Sequence, residues 1–149
     1  MKIVLGADHG GFILKNFLAD SLRKAGHEVT DIGTESATAV DYPDYSHKVA
    51  LGVLAGTYER GILVCGTGVG MSIAANRHHG VRAVNCTDTF TARFARLHND
   101  ANVLCLGERV LGPGLAEDIV RIWLETKFEK VERHEQRVAK IELAGVFRR

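Results

Sequence analysis

Short apolar runs alternate with longer segments of helical periodicity along the chain. The runs predict five strands, at residues 3–7, 27–32, 62–64, 81–86 and 102–106. In the segments that follow them, apolar residues recur every three or four positions, which predicts helices. Strands of this length that alternate with helices favour βαβ units with right-handed crossovers. We therefore predict one doubly wound α/β domain, with helices on both faces of a five-stranded parallel sheet.

The helical segments carry their own boundary signals. Gly26 is expected to close the first helix, Asp44 to cap the second, and Thr87 or Asp88 to cap the fourth. Arg93 and Arg96 of the fourth helix are expected to face outward. Two helices are predicted to bury an apolar stripe, formed by Phe90, Phe94 and Leu97 in the fourth and by Leu115, Ile119, Val120 and Trp123 in the fifth.

A final, highly charged helix is predicted over about residues 131–144. Val138 and Ile141 give it an apolar edge, so we expect it to form an arm that packs on a partner subunit. Arg133 and Arg137 are four residues apart and share one face, which suits bidentate phosphate binding. A solvated charged face is the plainer interpretation of the same residues. The whole chain, residues 1–149, is predicted to be a single domain.

Composition excludes several classes of protein. With 46% apolar and 25% charged residues, the 149-residue chain is ordinary for a globular protein with one core. A formal net charge of +1 provides no strong field toward nucleic acid or membranes, and no apolar run approaches membrane-spanning length. Three cysteines are an odd number, which disfavours a disulfide framework and favours the cytoplasm. Cys86 and Cys105 lie inside apolar strands and are expected to be core residues.

A glycine-rich segment after the third predicted strand organises the chain. Cys65 ends that strand, and Gly66, Gly68 and Gly70 follow before a helix begins. Such a loop can direct several backbone N–H groups toward an anion or an oxyanion. It matches neither the G-x-G-x-x-G spacing nor a P-loop, so a nucleotide site is disfavoured. The position of Cys65 beside backbone donors favours a functional thiol over a core thiol.

Polar side chains are expected to converge on this loop. Ligands of open parallel sheets bind at the carboxyl ends of the strands. The candidates there are Asp8 and His9 after the first strand, Cys65 and Thr67 after the third, and His98 and Asn99 before the fifth. Two other chemistries stay open on the residues alone. One is a metal site formed by Asp8, His9, Cys65 and His98, although no metal-ligand spacing occurs, and the other is a Cys–His–Asp acyl-transfer triad.

The motifs taken together resemble the ribose-5-phosphate isomerase B family. They match over nearly the whole chain and in family order, and the wider family also holds allose- and galactose-6-phosphate isomerases. The matching segments are Asp8-His9-Gly10-Gly11, Asp41-Tyr42-Pro43, Cys65-Gly66-Thr67-Gly68-Val69-Gly70, Ile73-Ala74-Ala75-Asn76, His98-Asn99-Asp100-Ala101-Asn102 and Arg133-His134-x-x-Arg137-Val138.

The resemblance implies a Rossmann-like homodimer, with a tetramer equally compatible, and two sites at the subunit interface. It implies no cofactor and no metal, and a reaction that interconverts D-ribose 5-phosphate and D-ribulose 5-phosphate. Cys65 would be the base that moves a proton between C2 and C1, and His98 would help to open the furanose ring. Thr67 and the loop amides would stabilise the enediolate. One branch of the family instead uses a glutamate where this chain has Met71, which leaves Cys65 as the base.

The resemblance also implies the groups that hold the substrate. Asp8 and Asn99 would bind sugar hydroxyls, and the other substrate-binding positions would be His9, Tyr42, Gly66, Gly68, Val69 and Gly70. The phosphate ligands would be His9, Arg109, Arg133 and Arg137, some of them from the second subunit. A hexose 6-phosphate isomerase and a non-catalytic sugar-phosphate-binding module are the alternative functions.

Overall fold

Five parallel strands form one sheet. The structure, a computed structural model, describes residues 1–142. The strands are β1 (Lys2–Ala7), β2 (Glu28–Asp31), β3 (Arg60–Cys65), β4 (Ala83–Asn85) and β5 (Val103–Gly107). They lie in the order β2-β1-β3-β5-β4, and each neighbouring pair is parallel. The predicted five-stranded parallel sheet is confirmed, with strand boundaries that differ by up to two residues.

Helices connect the strands and continue after the last one. A short 3-10 turn (His9–Gly11) leads into α1, and the helices are α1 (Phe12–Lys24), α2 (Tyr42–Leu54), α3 (Val69–Ala75), α4 (Thr89–Asn99), α5 (Pro113–Glu125) and α6 (Glu132–Glu142). The predicted end of the last helix at Ala144 lies outside the described residues. Among residues 1–142, no helix combines the length and the apolar character that crossing a membrane requires.

The sheet is covered on both faces by apolar side chains. One core joins α1, α4 and α5 to the sheet, with Leu18 and Trp123 fully enclosed. The other joins α2 and α3 to the opposite face through Val49 and Met71. Successive strand residues point to opposite faces, so Ile62 and Val64 of β3 enter the first core and Leu63 enters the second. The doubly wound α/β/α architecture is confirmed.

The start of α2 corrects the sequence prediction. The helix begins at Tyr42, with Asp41 at the N-cap position and Pro43 in its first turn, so Asp44 lies inside the helix rather than capping it. Proline is well tolerated in the first turn because its missing N–H has no partner there in any helix. At α4, by contrast, Asp88 is the cap, and its carboxylate accepts a hydrogen bond from the amide of Thr91 at 2.7 Å.

Three side chains differ from their predicted exposure. Phe90 and Leu115 are 69% and 44% exposed, although both were predicted to lie in buried stripes. Arg96 was expected to face outward but is only 4% exposed. Its guanidinium donates hydrogen bonds to Oδ1 of Asp100 at 2.7 Å and to the carbonyl oxygen of Ala101 at 2.6 Å. These two acceptors satisfy the buried charge, which explains why an arginine is tolerated there.

Candidate active site

The Cys65 thiol lies at the end of β3 and is covered by the loop that follows it. Cys65 is 5% exposed, and its Sγ accepts a hydrogen bond from the amide of Gly68 at 3.1 Å. Gly68 has a φ of +80°, which side-chain-bearing residues rarely adopt, and a Cβ there would collide with Oδ1 of Asn85. Glycine therefore allows the backbone to turn its N–H toward the sulfur.

Several loop amides beside the thiol are available to a ligand. Among the described residues, none accepts a hydrogen bond from the amides of Gly66, Thr67 or Gly70. The amide of Val69 donates to Oγ1 of Thr67 at 3.4 Å, and both of these side chains are exposed. Unpaired backbone donors next to a thiol can stabilise an oxyanion that forms on a bound substrate.

The turn after β1 packs against this loop. Asp8 is 7% exposed and its Oδ1 accepts a hydrogen bond from the amide of Gly10 at 2.9 Å. A Cβ on Gly10 would lie 3.1 Å from the nitrogen of Gly66, so glycine permits the close approach of the two segments. Nδ1 of His9 accepts a hydrogen bond from the amide of Val40 at 3.3 Å. The structure thus brings Asp8 and His9 to the Cys65 loop, as predicted.

Tyr42 and Arg109 border the same loop. A Cβ on Gly70 would lie 2.8 Å from Cζ of Tyr42, so the tyrosine ring, 40% exposed, packs over the glycine. The exposed side chain of Arg109 lies beside Gly66. The backbone amide of Arg109 donates a hydrogen bond to the Gly66 carbonyl at 3.1 Å. The carboxyl edge of the sheet therefore gathers an acid, an imidazole, a phenol, a thiol and a guanidinium around one loop.

Sequence reasoning missed two residues that shape this edge. Asn85 donates through Nδ2 to the carbonyl of Thr67 at 3.2 Å, and its buried Oδ1 has no partner among the described residues. Glu108 accepts a hydrogen bond from the amide of Leu14 at 2.8 Å and so fixes the start of α1. Asn85 ends β4 and Glu108 follows β5 directly, so the rule that identified Asp8 and Cys65 would also have found them.

His98 does not join the thiol within one chain. It lies in the last turn of α4, which returns the chain to the edge of the sheet where the strands begin, called the amino edge below. There the carbonyl of Asn102 accepts a hydrogen bond from the amide of Gly61 at 3.1 Å. Because the six residues of β3 span about 17 Å, His98 and Cys65 lie at opposite edges of the sheet. The expectation that both converge on one loop in the same chain is wrong, because a crossover helix ends at the opposite edge from its start.

A second cluster surrounds His98 at the amino edge. Its ring lies 4.2 Å from that of His134 and 4.8 Å from that of Phe94, centroid to centroid. His134 is 2% exposed, and its Nδ1 has no hydrogen-bond partner among the described residues. Burial lowers the pKa of His134, as do the positive charges of His98 and Arg133, while Glu129 opposes them. The metal-ligand set considered from the sequence is not assembled, because His98 is remote from Asp8, His9 and Cys65.

The described part of α6 is fastened along this edge. Glu142 accepts hydrogen bonds from Arg82 at 2.7 Å and from the amide of Gly80 at 2.9 Å. Arg82 also pairs with Asp100 at 3.1 Å, and Asp100 ends α4 with a φ of +46°. The side chains predicted to bind the substrate on this side are all exposed, and they are Asn99, Arg133 and Arg137.

The other two thiols belong to the core. Cys86 and Cys105 are 2% and 0% exposed, as predicted. Burial raises the pKa of Cys86 to about 11 and raises that of Cys105 well above its usual range. Both therefore stay protonated near neutral pH. Cys65 is the thiol that the fold places at the candidate site.

Comparison with known proteins agrees with this geometry. The sequence model of the family described as Ribose/Galactose Isomerase matches residues 3–141. Ribose-5-phosphate isomerase B of Escherichia coli strain K12 is 51% identical over 140 residues, which cover 94% of this chain and 93% of that protein.

Solved structures give the same result. Ribose-5-phosphate isomerase B of Clostridium thermocellum is 54% identical, with a TM-score of 0.93 and 95% of each chain covered. The type B ribose 5-phosphate isomerase of Trypanosoma brucei is 48% identical, with a TM-score of 0.93, and the match covers 96% of this chain and 97% of that one. The fold, the loop and these matches together establish that the chain belongs to the ribose/galactose isomerase family.

Proposed function

We propose that this protein interconverts D-ribose 5-phosphate and D-ribulose 5-phosphate by proton transfer through a cis-enediolate. The observation that carries the proposal is the Cys65 sulfur, held 3.1 Å from the amide of Gly68 beside amides without a protein acceptor. An aldose–ketose isomerisation needs a base and a cradle of donors for the developing oxyanion. Membership of the ribose/galactose isomerase family supports the assignment.

Cys65 acts as the base in this proposal. Its thiolate, stabilised by the Gly68 amide, removes the proton on C2 of the open-chain aldose. The C–H electron pair forms the C1–C2 double bond, and the carbonyl electrons move to O1. The loop amides and the Thr67 hydroxyl donate to this oxyanion. The proton then returns to C1, the proton of the C2 hydroxyl passes to O1, and C2 becomes the ketose carbonyl, so the reaction is redox-neutral overall and needs no cofactor.

The groups around the loop position the sugar. Asp8 is assigned to a hydroxyl, because Oδ1 accepts the Gly10 amide and its other carboxylate oxygen is left to accept a hydrogen bond from the sugar. Tyr42 and Val69 are assigned to contacts with the sugar, and His9 and Arg109 are assigned to the phosphate. His98 is assigned to ring opening, with Asn99 on a hydroxyl and Arg133 and Arg137 on the phosphate.

We infer that the active unit is a homodimer with shared sites, and a tetramer of such dimers is equally compatible. His98 and Cys65 lie at opposite edges of one chain, so a complete set of groups requires a second copy. A two-fold axis would place the amino edge of each chain over the carboxyl edge of the other. Val69 and Ile73 are 49% and 56% exposed beside the loop, and they offer an apolar contact surface for the partner subunit. The three free cysteines support a reducing compartment such as the cytoplasm.

Proton NMR in D2O with EDTA tests the reaction. The expected result is formation of ribulose 5-phosphate from ribose 5-phosphate, with deuterium incorporated from the solvent. Turnover of allose 6-phosphate or galactose 6-phosphate without turnover of the pentose phosphate would identify the protein as a hexose 6-phosphate isomerase. Tight binding of the sugar phosphate with no isomerisation and no exchange of the C2 hydrogen would overturn the assignment as an enzyme.

A further inference from the structure

We propose that His98, Glu129 and His134 form an inhibitory site for a divalent transition-metal ion such as Zn²⁺. The three side chains come from the last turn of α4, the segment between α5 and α6, and the first turn of α6. Each side chain offers one donor atom, and these three atoms lie within 4.8 Å of one another. The inhibition rests on the proposed function, whereas metal binding does not.

The donor set matches zinc chemistry. Two imidazoles and one carboxylate are a usual set of three protein ligands, with the fourth position left to water. Ligand atoms around tetrahedral Zn²⁺ lie about 3.4 Å apart, because each is about 2.1 Å from the metal. Donors 4.8 Å apart would have to approach one another by about 1.4 Å, which rotation of the half-buried Glu129 and His98 side chains can supply.

His134 provides an independent reason to expect a ligand. It is 2% exposed, and its Nδ1 has no hydrogen-bond partner among the described residues. Leaving a buried polar atom unpaired is costly, so such an atom in a native protein calls for an explanation. A neutral imidazole with an unpaired nitrogen is the form that binds a metal.

Hydrogen bonds fix the backbone of the three ligand residues before any ion arrives. The amide of Glu129 donates to the carbonyl of Leu97 at 2.9 Å, which fastens the segment to the end of α4. The amide of Val131 donates to the Glu129 carbonyl at 2.8 Å, and the amide of His134 donates to the Val131 carbonyl at 2.9 Å. A pre-organised ligand set lowers the entropic cost of binding.

Binding at this site would engage the imidazole that the proposed function uses for ring opening. A metal-bound His98 nitrogen has no lone pair with which to accept a proton, so opening of the furanose would slow. Ribulose 5-phosphate is acyclic and needs no ring opening before proton transfer. The metal is therefore expected to slow net isomerisation more than it slows exchange of the C1 hydrogen of ribulose 5-phosphate with solvent.

The binding test titrates the full chain with Co²⁺, followed by visible absorption, and with Zn²⁺, followed by calorimetry. Glu129→Gln is expected to weaken binding at least about tenfold, since even the loss of a supporting group around a metal costs that much. Glu135→Gln is the matched control, because it removes the same charge from an exposed position on α6. Circular dichroism would verify folding of His134→Gln, which should lose binding as Glu129→Gln does.

Two other places that could bind the metal, a histidine pair and Cys65, must be distinguished from this site. Nδ1 of His47 lies 2.8 Å from Nε2 of His78, and a His78→Gln variant reports on that pair. A thiolate–Co²⁺ charge-transfer band would report on Cys65. Equal affinity of Glu129→Gln and the parent chain, or loss of binding in His78→Gln alone, would overturn the proposed site.

The inhibition test compares net isomerisation with solvent exchange of the C1 hydrogen of ribulose 5-phosphate. Zn²⁺ is expected to slow the conversion of ribose 5-phosphate, EDTA is expected to restore it, and Glu129→Gln is expected to resist the metal. Metal binding without isomerase activity in any sample would contradict the proposed function and leave the metal site standing. Normal isomerisation without Glu129-dependent binding would contradict the metal site alone.

Discussion

The two edges of the sheet differ in their chemistry. The carboxyl edge holds a thiol, a hydroxyl and a glycine-rich loop whose amides lack protein acceptors. The amino edge holds two packed imidazoles and exposed arginines on α6. In the proposed function, one edge removes a proton from carbon and stabilises an oxyanion, and the other opens a ring and binds a phosphate. On that proposal, neither edge is a complete site, and two copies must pair to form one.

The largest expected effect separates the base from the other thiols. Cys65→Ala should lower kcat for ribose 5-phosphate by about 10²–10⁴-fold, the usual contribution of a general base. Binding of the sugar phosphate, measured by calorimetry, should largely survive because the arginines are untouched. Cys86→Ala is the matched control, since it removes a thiol that is buried in the core and should leave kcat near the parent value. Retained turnover in Cys65→Ala would remove this thiol as the base.

A second substitution removes the proposed ring-opening group from the amino edge. His98→Asn should lower kcat/KM for ribose 5-phosphate by roughly 10²-fold, the lower end for acid–base catalysis. Exchange of the C1 hydrogen of ribulose 5-phosphate with solvent should fall much less, because this exchange needs proton transfer but no ring closure. Proton NMR in D2O measures the exchange and the net isomerisation in one sample. An equal loss of both would assign His98 to proton transfer or to structure instead.

The carboxyl edge was largely predictable from the sequence. Cys65 and Gly68 are neighbours in the chain, and the end of a buried strand fixes where the side chains after it must lie. Asp8 follows the same rule. Asp88 was readable as a cap because a helix cap depends on residues within one turn. Local sequence therefore determines both the position of the loop and its chemistry.

The amino edge was less predictable because tertiary contacts determine it. Arg96 is buried because the chain bends at Asp100, which supplies an acceptor that helical periodicity does not reveal. His134 meets His98 across more than 30 residues of sequence, and no spacing rule connects them. A crossover helix also ends at the opposite edge of the sheet from where it starts. The prediction that His98 lies near Cys65 in the same chain was wrong for this reason.

The arginines of α6 should affect affinity more than turnover. Arg137→Ala should raise KM for ribose 5-phosphate about 10- to 100-fold, because a hydrogen bond between charged groups contributes about 1.5–3 kcal/mol. Arg121→Ala is the control, since this exposed arginine of α5 pairs, among residues 1–142, with its neighbours Asp118 and Glu125 along the helix. Initial-rate kinetics at varied substrate concentration separate KM from kcat. A similar rise in KM in both variants would indicate a general charge effect.

The smallest expected effect concerns stability against acid. Burial lowers the folded-state pKa of His134 and of His27 below the unfolded value, which is about 6.5. The unfolded chain then binds more protons, so the stabilisation present above about pH 6.5 is lost as the pH falls through the folded-state pKa values. Denaturant melts at several pH values should show this decline, and His134→Gln should flatten it. An unchanged slope would place the acid sensitivity elsewhere.

Mixing two inactive variants tests the shared site most directly. Cys65→Ala and His98→Asn each damage a different edge, so a mixed dimer places both defects in one of its two sites and leaves the other intact. After unfolding and refolding together, the mixture should recover about one quarter of the parent activity toward ribose 5-phosphate, because random pairing makes half of the dimers mixed. Each variant refolded alone controls for residual activity. No recovery, with mixed dimers verified by mass spectrometry, would contradict the conclusion that each site is built from two chains.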